Sequence, residues 1–100
     1  AYIPTGSRIG DRVFLGPNAS LTNDKTPLRT EYKLEKITVE DDVTVGSNAT
    51  LMPGITVGEG AFIAGGAVVT KDVPAWHIAK GCPAAFEELP ESLKKPNRLG

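Results

Sequence analysis

The chain has 100 residues, which suits one small domain with a limited core. Its formal net charge is −1, so it lacks the concentrated positive charge of a nucleic-acid-binding surface. No apolar stretch is long enough to cross a bilayer, no signal peptide opens the sequence, and the single cysteine, Cys82, rules out an internal disulfide. These features predict a cytoplasmic protein that binds neither nucleic acid nor membrane.

The chain begins with an aliphatic residue at every sixth position, in "IPTGSRIGDRVFLGPNASL". Neither a helix, with its period of 3.6, nor a simple strand, with its period of 2, explains a spacing of six. Hexapeptide repeats are typical of a parallel β-helix, in which each hexad is a short strand and a turn and three hexads close one triangular coil. Residues 3–20 are therefore predicted to form one coil. The repeated first-position residues are Ile3, Ile9, Leu15 and Leu21.

The repeat stops in the segment 22–36, "TNDKTPLRTEYKLEK", which is polar, charged and interrupted by Pro27. This segment is long enough to span a coil's worth of chain, and we expect it to leave the prism wall as a loop. Long loops in compact domains are usually functional or disordered. The segment is therefore a candidate for part of a binding or catalytic site.

The repeat resumes over 39–74 and predicts two further coils, in which each first-position side chain stacks on its counterpart 18 residues away. The fifth position also points inward, and Asn, Asp or Gly at the third or fourth position suits a turn with positive φ. The first positions are Val39, Val45, Leu51, Val57, Ile63 and Val69. The fifth positions are Val43, Ala49, Ile55, Ala61, Ala67 and Val73.

The last part of the chain changes character. "VPAWHIAKGCPAAF" places a short apolar strand centred on Ile78 between Pro74 and Pro83. "ELPESLKK" then predicts one or two helical turns. We therefore divide the chain into a β-helix domain over residues 1–83, with the loop 22–36, and a C-terminal tail over 84–100 that is predicted to contain a short helix.

The hexads, the ending "GAFIAGGAVVTKDVP" and the following "AKGCPA" resemble the hexapeptide-repeat acyltransferases, which fold as left-handed parallel β-helices. Around "LTND…P.R" and "GGAVVTKDVP…G.PA" the sequence is similar to the branch that N-acetylates the amino group of a nucleotide-linked amino sugar in bacterial surface-polysaccharide synthesis. The left-handed sense is implied by the resemblance alone, because parallel crossovers are usually right-handed.

The resemblance implies a homotrimer of parallel prisms, with three sites between neighbouring subunits and acetyl-CoA as the acyl donor without a metal. Small residues at the prism corners would let the pantetheine arm approach the backbone. A lysine after the last hexad would meet a CoA phosphate as a point charge. The cofactor residues implied are Ala49, Gly65, Ala67, Lys71, Gly81 and Pro83.

The same resemblance assigns the acceptor side of the site to the loop. Asn23 would orient the sugar amine, Asp24 would receive a proton or fix Asn23, and Arg29 would pair with a diphosphate or sugar carboxylate. A sugar amine is partly neutral near pH 7 and needs less activation than a hydroxyl, which requires a general base. His77, the one histidine of the chain, follows the coils and is interpreted as structural.

Three alternatives follow from the same residues. A carbonic anhydrase with this fold needs three histidine ligands for its metal, and one histidine cannot supply them. An O-acetyltransferase acting on a sugar or small hydroxyl acceptor would need a different base. A non-catalytic scaffold subunit would keep the coils without binding acetyl-CoA, and a melting temperature unaffected by acetyl-CoA would favour it.

Overall fold

The computed structural model describes residues 1–4, 6–22 and 35–98. These residues fold as a left-handed parallel β-helix, as the repeat and the family resemblance together predicted. Nine two-residue strands and the two longer strands of a hairpin form three walls, and a short 3-10 turn follows them. The strands are β1 (Arg8–Ile9), β2 (Phe14–Leu15), β3 (Ser20–Leu21), β4 (Thr38–Val39), β5 (Thr44–Val45), β6 (Thr50–Leu51), β7 (Thr56–Val57), β8 (Phe62–Ile63), β9 (Val68–Val69), β10 (His77–Gly81) and β11 (Ala84–Glu88).

Each wall is one sheet of strands from successive coils. Wall 1 holds β1, β4 and β7, wall 2 holds β2, β5, β8, β10 and β11, and wall 3 holds β3, β6 and β9. All neighbours are parallel except the hairpin partners β10 and β11. We name the corners by the walls they join, so that corner 1–2 contains 40–43, corner 2–3 contains 46–49 and corner 3–1 contains 52–55 in the middle coil.

The inward-facing positions are those that the repeat predicted. Strand partners such as Thr38 and Thr56 or Leu51 and Val69 are 18 residues apart, so equivalent side chains stack along the prism axis. All first-position and fifth-position residues of 39–73 are buried. The branched aliphatic residues fill the centre of the prism, and the corners hold alanine as well as larger side chains, which confirms the predicted core.

The turns also follow the prediction. The fourth position of every hexad from residue 42 to residue 66 has positive φ, between 61° and 80°. Asn, Asp and Gly tolerate this conformation better than other residues. These residues are Asp42, Asn48, Gly54, Gly60 and Gly66.

The register defines the size of the polar loop. Ile9 pairs with Val39, thirty residues later, whereas Val39 pairs with Val57 after the regular eighteen. Twelve extra residues are therefore inserted at corner 3–1, between Thr22 and Glu35. The segment adds chain to one corner and does not replace a coil.

The last coil is shorter than the sequence indicated. Val73 pairs with Val57 and Ile78 pairs with Phe62, both sixteen residues apart. Val73 therefore begins the next rung of wall 1 instead of occupying a fifth position, although it is buried as predicted. Two residues are missing from this rung at corner 3–1.

The C-terminal segment contains one helical turn, as predicted, but begins with a strand that the sequence did not predict. Residues Ala84–Glu88 form a strand that pairs antiparallel with His77–Gly81, and the helical part is a 3-10 turn at Glu91–Leu93. The strand forms because β10 offers an open edge, and backbone pairing across that edge satisfies its N–H and C=O groups. This three-residue turn is the single helical segment of the described ranges, so none of them contains a membrane-spanning helix.

Candidate functional site

The polar insertion leaves and re-enters the prism at corner 3–1. On the leaving side, the backbone N–H of Thr22 and its hydroxyl both donate to the carbonyl oxygen of Leu51, at 3.0 and 2.9 Å. On the returning side, Ile37 is buried in the core. Both ends of the insertion are thus fixed by the coils. The predicted acceptor-side residues Asn23, Asp24 and Arg29 lie outside the described residues.

Corner 2–3 exposes its backbone at two consecutive glycines. Gly65 is exposed there, next to Gly66. The rungs approach so closely that a Cβ atom on Gly46 would lie 2.5 Å from the backbone nitrogen of Gly65. Small residues at this corner are therefore required by coil stacking, and they also leave its backbone open to a ligand.

Gly81 and Pro83 lie in the next rung of the same corner. Ala79 pairs with Ile63. Gly81 follows Ala79 by two residues, just as Gly65 follows Ile63 by two residues, so the two glycines occupy equivalent positions in successive rungs. Gly81 and Pro83 are both exposed in the turn of the β10–β11 hairpin. The structure thus brings three of the predicted cofactor residues, Gly65, Gly81 and Pro83, to one corner.

The predicted role of Ala49 and Ala67 as a cofactor-lining wall needs correction. Both residues are 0% exposed and belong to the core cluster, because the fifth position of the hexad points into the prism. The surface above them is formed by Ser47 and Gly65, which are exposed. Ala49 and Ala67 support the corner from inside and do not form its surface.

Lys71 is exposed on corner 3–1, the corner that carries the insertion. It lies two rungs below Thr22, or about 10 Å along the prism axis at the usual strand spacing. Corners 2–3 and 3–1 flank wall 3, so the candidate residues and the insertion border the same wall. We call wall 3 and these two corners the candidate face. Its outward-facing strand residues are Ser20, Thr50 and Val68.

His77 lies away from the candidate face. It begins β10 on wall 2, and its Nδ1 atom is 2.8 Å from the carbonyl oxygen of Ala75. In a triangular prism, corner 3–1 lies opposite wall 2. Within one chain, the prism therefore lies between His77 and the two ends of the insertion, Thr22 and Glu35, which agrees with the interpretation of His77 as structural.

Sequence reasoning missed a polar cluster at corner 1–2. Asp42 is only 4% exposed, and its two carboxylate oxygens accept hydrogen bonds from Arg12 at 2.7 and 3.0 Å. The backbone N–H of Asn97 also donates to Asp42, and the Asn97 side-chain amide donates to the carbonyl oxygens of Arg12 and Val43. Arg12 and Asp42 both occupy the fourth position of a hexad at the same corner of successive coils. The sequence shows this relation only once the twelve-residue insertion between the two coils is known.

These contacts shift the acid–base properties of the cluster. The hydrogen bond from Arg12 is the largest effect and lowers the pKa of Asp42, the Asn97 N–H reinforces it, and desolvation opposes it. The same pair raises the pKa of Arg12. The cluster joins the C-terminal tail to the first two coils and has a structural role away from the candidate face.

Grooves are present on other parts of the surface. One of about 330 Å³ lies along wall 1 and corner 1–2, between Arg8 and Glu59. Another of about 300 Å³ lies on wall 2, between Phe62 and Leu93. Neither contains a predicted cofactor residue.

The comparisons with known proteins agree with this fold. Residues 36–71 match the family described as "Bacterial transferase hexapeptide (six repeats)", so this part of the chain carries the repeats of that family. The chain is 50% identical, over 75 residues, to a 2,3,4,5-tetrahydropyridine-2,6-dicarboxylate N-acetyltransferase of Staphylococcus aureus, and the match covers 75% of this chain and 30% of that protein.

Two solved structures are also similar. One is a hexapeptide-repeat acetyltransferase of Vibrio cholerae in complex with acetyl coenzyme A, with 30% identity, a TM-score of 0.76, and coverage of 85% of this chain and 50% of that one. The other is a maltose O-acetyltransferase of Clostridium difficile, with 31% identity, a TM-score of 0.76, and coverage of 85% and 49%. The chain spans between 30% and 55% of the length of the curated relatives it matches.

Proposed function

We propose that the protein is an acetyl-CoA-dependent N-acetyltransferase that acts on the amino group of a nucleotide-linked amino sugar. The class of reaction is supported by the similarity to acetyltransferases and by the repeats over residues 36–71. The sugar acceptor rests on the resemblance of the loop sequence "LTND…P.R". Asn23, Asp24 and Arg29 are its proposed contacts.

The reaction is direct attack of the neutral amine on the thioester carbonyl carbon. The new C–N bond forms as the C–S bond breaks, and one amine proton is transferred to the sulfur of the departing CoA. Asn23 would accept a hydrogen bond from the amine and orient its lone pair, and Asp24 would carry the proton or hold Asn23 in place. Most of the rate enhancement then comes from positioning and from donors to the developing oxyanion.

The position of His77 is the observation that carries the choice of an amine. It is the one histidine of the 100 residues, and within one chain it lies on wall 2, opposite the corner where the insertion begins and ends. A hydroxyl acceptor requires a general base, most often histidine, whereas a sugar amine is already partly unprotonated near neutral pH.

The resemblance to hexapeptide-repeat acyltransferases supports a homotrimer in which the donor lies between two chains. Gly65, Gly81 and Pro83 line corner 2–3, where backbone groups are accessible to a pantetheine and adenine arm. Lys71, on corner 3–1, would meet a phosphate of CoA. A neighbouring chain would supply the second side of the cleft, and the burial of prism walls between chains would stabilise so small a core.

A direct test measures thiol release from acetyl-CoA by the purified protein with paired acceptors. Each pair consists of a nucleotide-linked amino sugar and the same nucleotide sugar with a hydroxyl in place of the amine. We expect turnover of the amino member only. Asn23→Ala should lower kcat at least tenfold with an unchanged melting temperature, and His77→Ala should retain kcat.

O-acetylation is the second candidate, because the chain is 31% identical to a maltose O-acetyltransferase. Acetylation of hydroxyl acceptors alone would establish it in place of the amine reaction. A scaffold without catalysis would show neither turnover nor a rise in melting temperature at millimolar acetyl-CoA.

A further inference from the structure

A carboxylate takes the place of a backbone carbonyl where the last coil loses two residues. In the regular coils, the residue before each buried strand position donates its N–H to a fifth-position carbonyl of the next coil. Examples are Thr38 to Ile55, at 3.1 Å, and Thr44 to Ala61, at 3.0 Å. The N–H of Thr56 departs from this series and donates to Oδ1 of Asp72, at 2.8 Å.

The register explains why a side chain is needed. Val73 pairs with Val57, so Lys71 is aligned with Ile55, and its carbonyl oxygen would be the acceptor in a regular coil. Only three residues, 70–72, lie between the end of β9 at Val69 and Val73, whereas five residues, 52–56, lie between Leu51 and Val57 in the preceding coil. Asp72 supplies the acceptor from its side chain, and its neighbour Val73 donates to the Thr56 carbonyl oxygen at 2.9 Å.

Lys71 therefore lies at the centre of a corner that is fixed on both sides. Before it, the carbonyl oxygen of Val69 accepts from Met52 at 3.0 Å. After it, Asp72 and Val73 are both bonded to Thr56. Without the Asp72 carboxylate, the Thr56 N–H would lose its acceptor, residues 70–72 would be held only by the bonds of Val69 and Val73, and Lys71 would be less firmly positioned.

We propose that Asp72 is a positioning residue, which places the Lys71 ammonium toward the phosphates of CoA by replacing the missing backbone acceptor of Thr56. The inference rests on the proposed acetyl-CoA-dependent function. A negative charge next to a phosphate-binding lysine weakens phosphate binding by itself, so its presence needs another reason. The hydrogen bond to Thr56 is that reason.

The test compares the affinities of four proteins for CoA and for 3′-dephospho-CoA by calorimetry: wild type, Lys71→Ala, Asp72→Ala and Asp72→Asn. Lys71→Ala should bind CoA roughly tenfold more weakly than wild type, because it loses one charge-assisted contact. Asp72→Ala should weaken it severalfold despite removing an unfavourable charge. Asp72→Asn removes the same charge but keeps the oxygen, so it should bind CoA at least as well as wild type.

Binding of 3′-dephospho-CoA identifies the phosphate involved. If Lys71 meets the 3′-phosphate, wild type and all variants should bind this compound with similar affinity. If Lys71 meets the diphosphate, the same order of affinities should appear for both compounds. An Asp72→Ala protein that binds CoA as tightly as wild type would overturn the positioning role.

A matched control separates positioning from general stability. Asp41 also accepts a backbone N–H through Oδ1, from Asp11 at 2.8 Å, but at corner 1–2. Asp41→Ala should lower the melting temperature about as much as Asp72→Ala and leave CoA affinity unchanged. Equal loss of CoA affinity in both variants would assign Asp72 a purely structural role.

Amide hydrogen exchange keeps the two proposals distinguishable. In the ligand-free protein, the Thr56 amide should exchange about tenfold faster in Asp72→Ala than in wild type or Asp72→Asn. Unchanged exchange would refute the hydrogen-bond substitution whatever the protein binds. If exchange behaves as expected but wild type binds no form of CoA, the proposed function and the Lys71 role fail together, and only the structural role of Asp72 is retained.

Discussion

The two ends of the prism contain the same hexad positions but differ in burial. At the N-terminal end, Ile3 and Ile9 occupy first positions and are 46% and 37% exposed. At the C-terminal end, Ala79 is 0% exposed because β11 and the tail cover it, and Leu89 in the tail is 5% exposed. The hexad thus determines which way a side chain points, whereas its burial depends on a rung or a covering segment on either side.

Replacement of the same residue in the middle and at the N-terminal end should give the largest contrast. Ile63 is fully buried on wall 2, and Ile63→Ala should lower the free energy of unfolding by about 2–5 kcal/mol through lost burial and a residual cavity. Ile9→Ala should cost only about 1 kcal/mol, since Ile9 is already partly in contact with water.

Urea unfolding at one fixed chain concentration measures the loss of stability in Ile63→Ala and in Ile9→Ala, because assembly makes stability depend on concentration. Similar losses at the two positions would mean that Ile9 is covered in solution. In that case the difference in burial between the two ends would exist in the isolated chain and not in the protein as it occurs in solution.

A second contrast separates close stacking from turn conformation at corner 2–3. Gly46→Ala would place a Cβ atom 2.5 Å from the Gly65 nitrogen and should cost about 3 kcal/mol, because two backbones must separate. Gly66 has open space around its missing Cβ but has φ of 73°, so Gly66→Ala should cost about 1 kcal/mol.

Gly66→Asn is the control for this interpretation. Asn18 and Asn48 hold the equivalent turns with φ of 61° and 62°, so asparagine should be tolerated at residue 66 within about 0.5 kcal/mol. If Gly66→Asn proves as costly as Gly46→Ala, then space and not φ limits this corner as well.

The regular coils were predictable because one local rule repeats in them. Inward positions such as Val45 and turn positions such as Asn48 follow from the spacing of six and from the conformational range of asparagine and glycine. The irregular parts depend on long-range pairing that no local pattern contains. The shortened corner at Asp72 became visible only from the Val57–Val73 register, and the hairpin only from the open edge of β10.

The candidate site was predictable to a smaller extent. Gly65, Gly81 and Pro83 are exposed on one corner as a ligand surface requires, and their role stays a prediction. Ala49 and Ala67 were misplaced, because smallness at a fifth position reflects a lack of space inside the corner. Small residues on a β-helix can serve packing or access, and only the direction of the side chain distinguishes the two.

The tail that covers wall 2 provides a pH-dependent prediction. Arg12 and Asn97 lower the pKa of Asp42 in the folded protein, so the unfolded chain binds a proton to this carboxyl more readily. The stability that the ionised Asp42 carboxylate contributes is therefore fully present above about pH 4, the ordinary pKa range of aspartate. It is lost as the pH falls through the lowered pKa that Asp42 has in the folded protein. Asp42→Asn should be less stable than wild type at pH 7 and should lose less stability between pH 4 and pH 2.5.

Urea titrations of wild type and Asp42→Asn across that range measure the two slopes. If the stability of Asp42→Asn fell with pH as steeply as that of wild type, other carboxyl groups would determine the acid sensitivity.

The smallest expected effect is at the exposed ion pair of the hairpin, and it tests what holds the C-terminal cover in place. Lys80 Nζ lies 3.0 Å from Glu87 Oε2, but both side chains are more than half exposed. Lys80→Ala should therefore change the free energy of unfolding by less than about 1 kcal/mol, with little further change in 0.5 M NaCl.

Leu89→Ala is the comparison within the same C-terminal cover, which consists of β11 and the tail after it. It should lower the free energy of unfolding by about 2–4 kcal/mol, because the Leu89 side chain is buried against the prism. If the two losses were equal and the Lys80 loss vanished in salt, charge pairing would hold the cover. The two ends of the prism would then differ in electrostatics rather than in apolar burial.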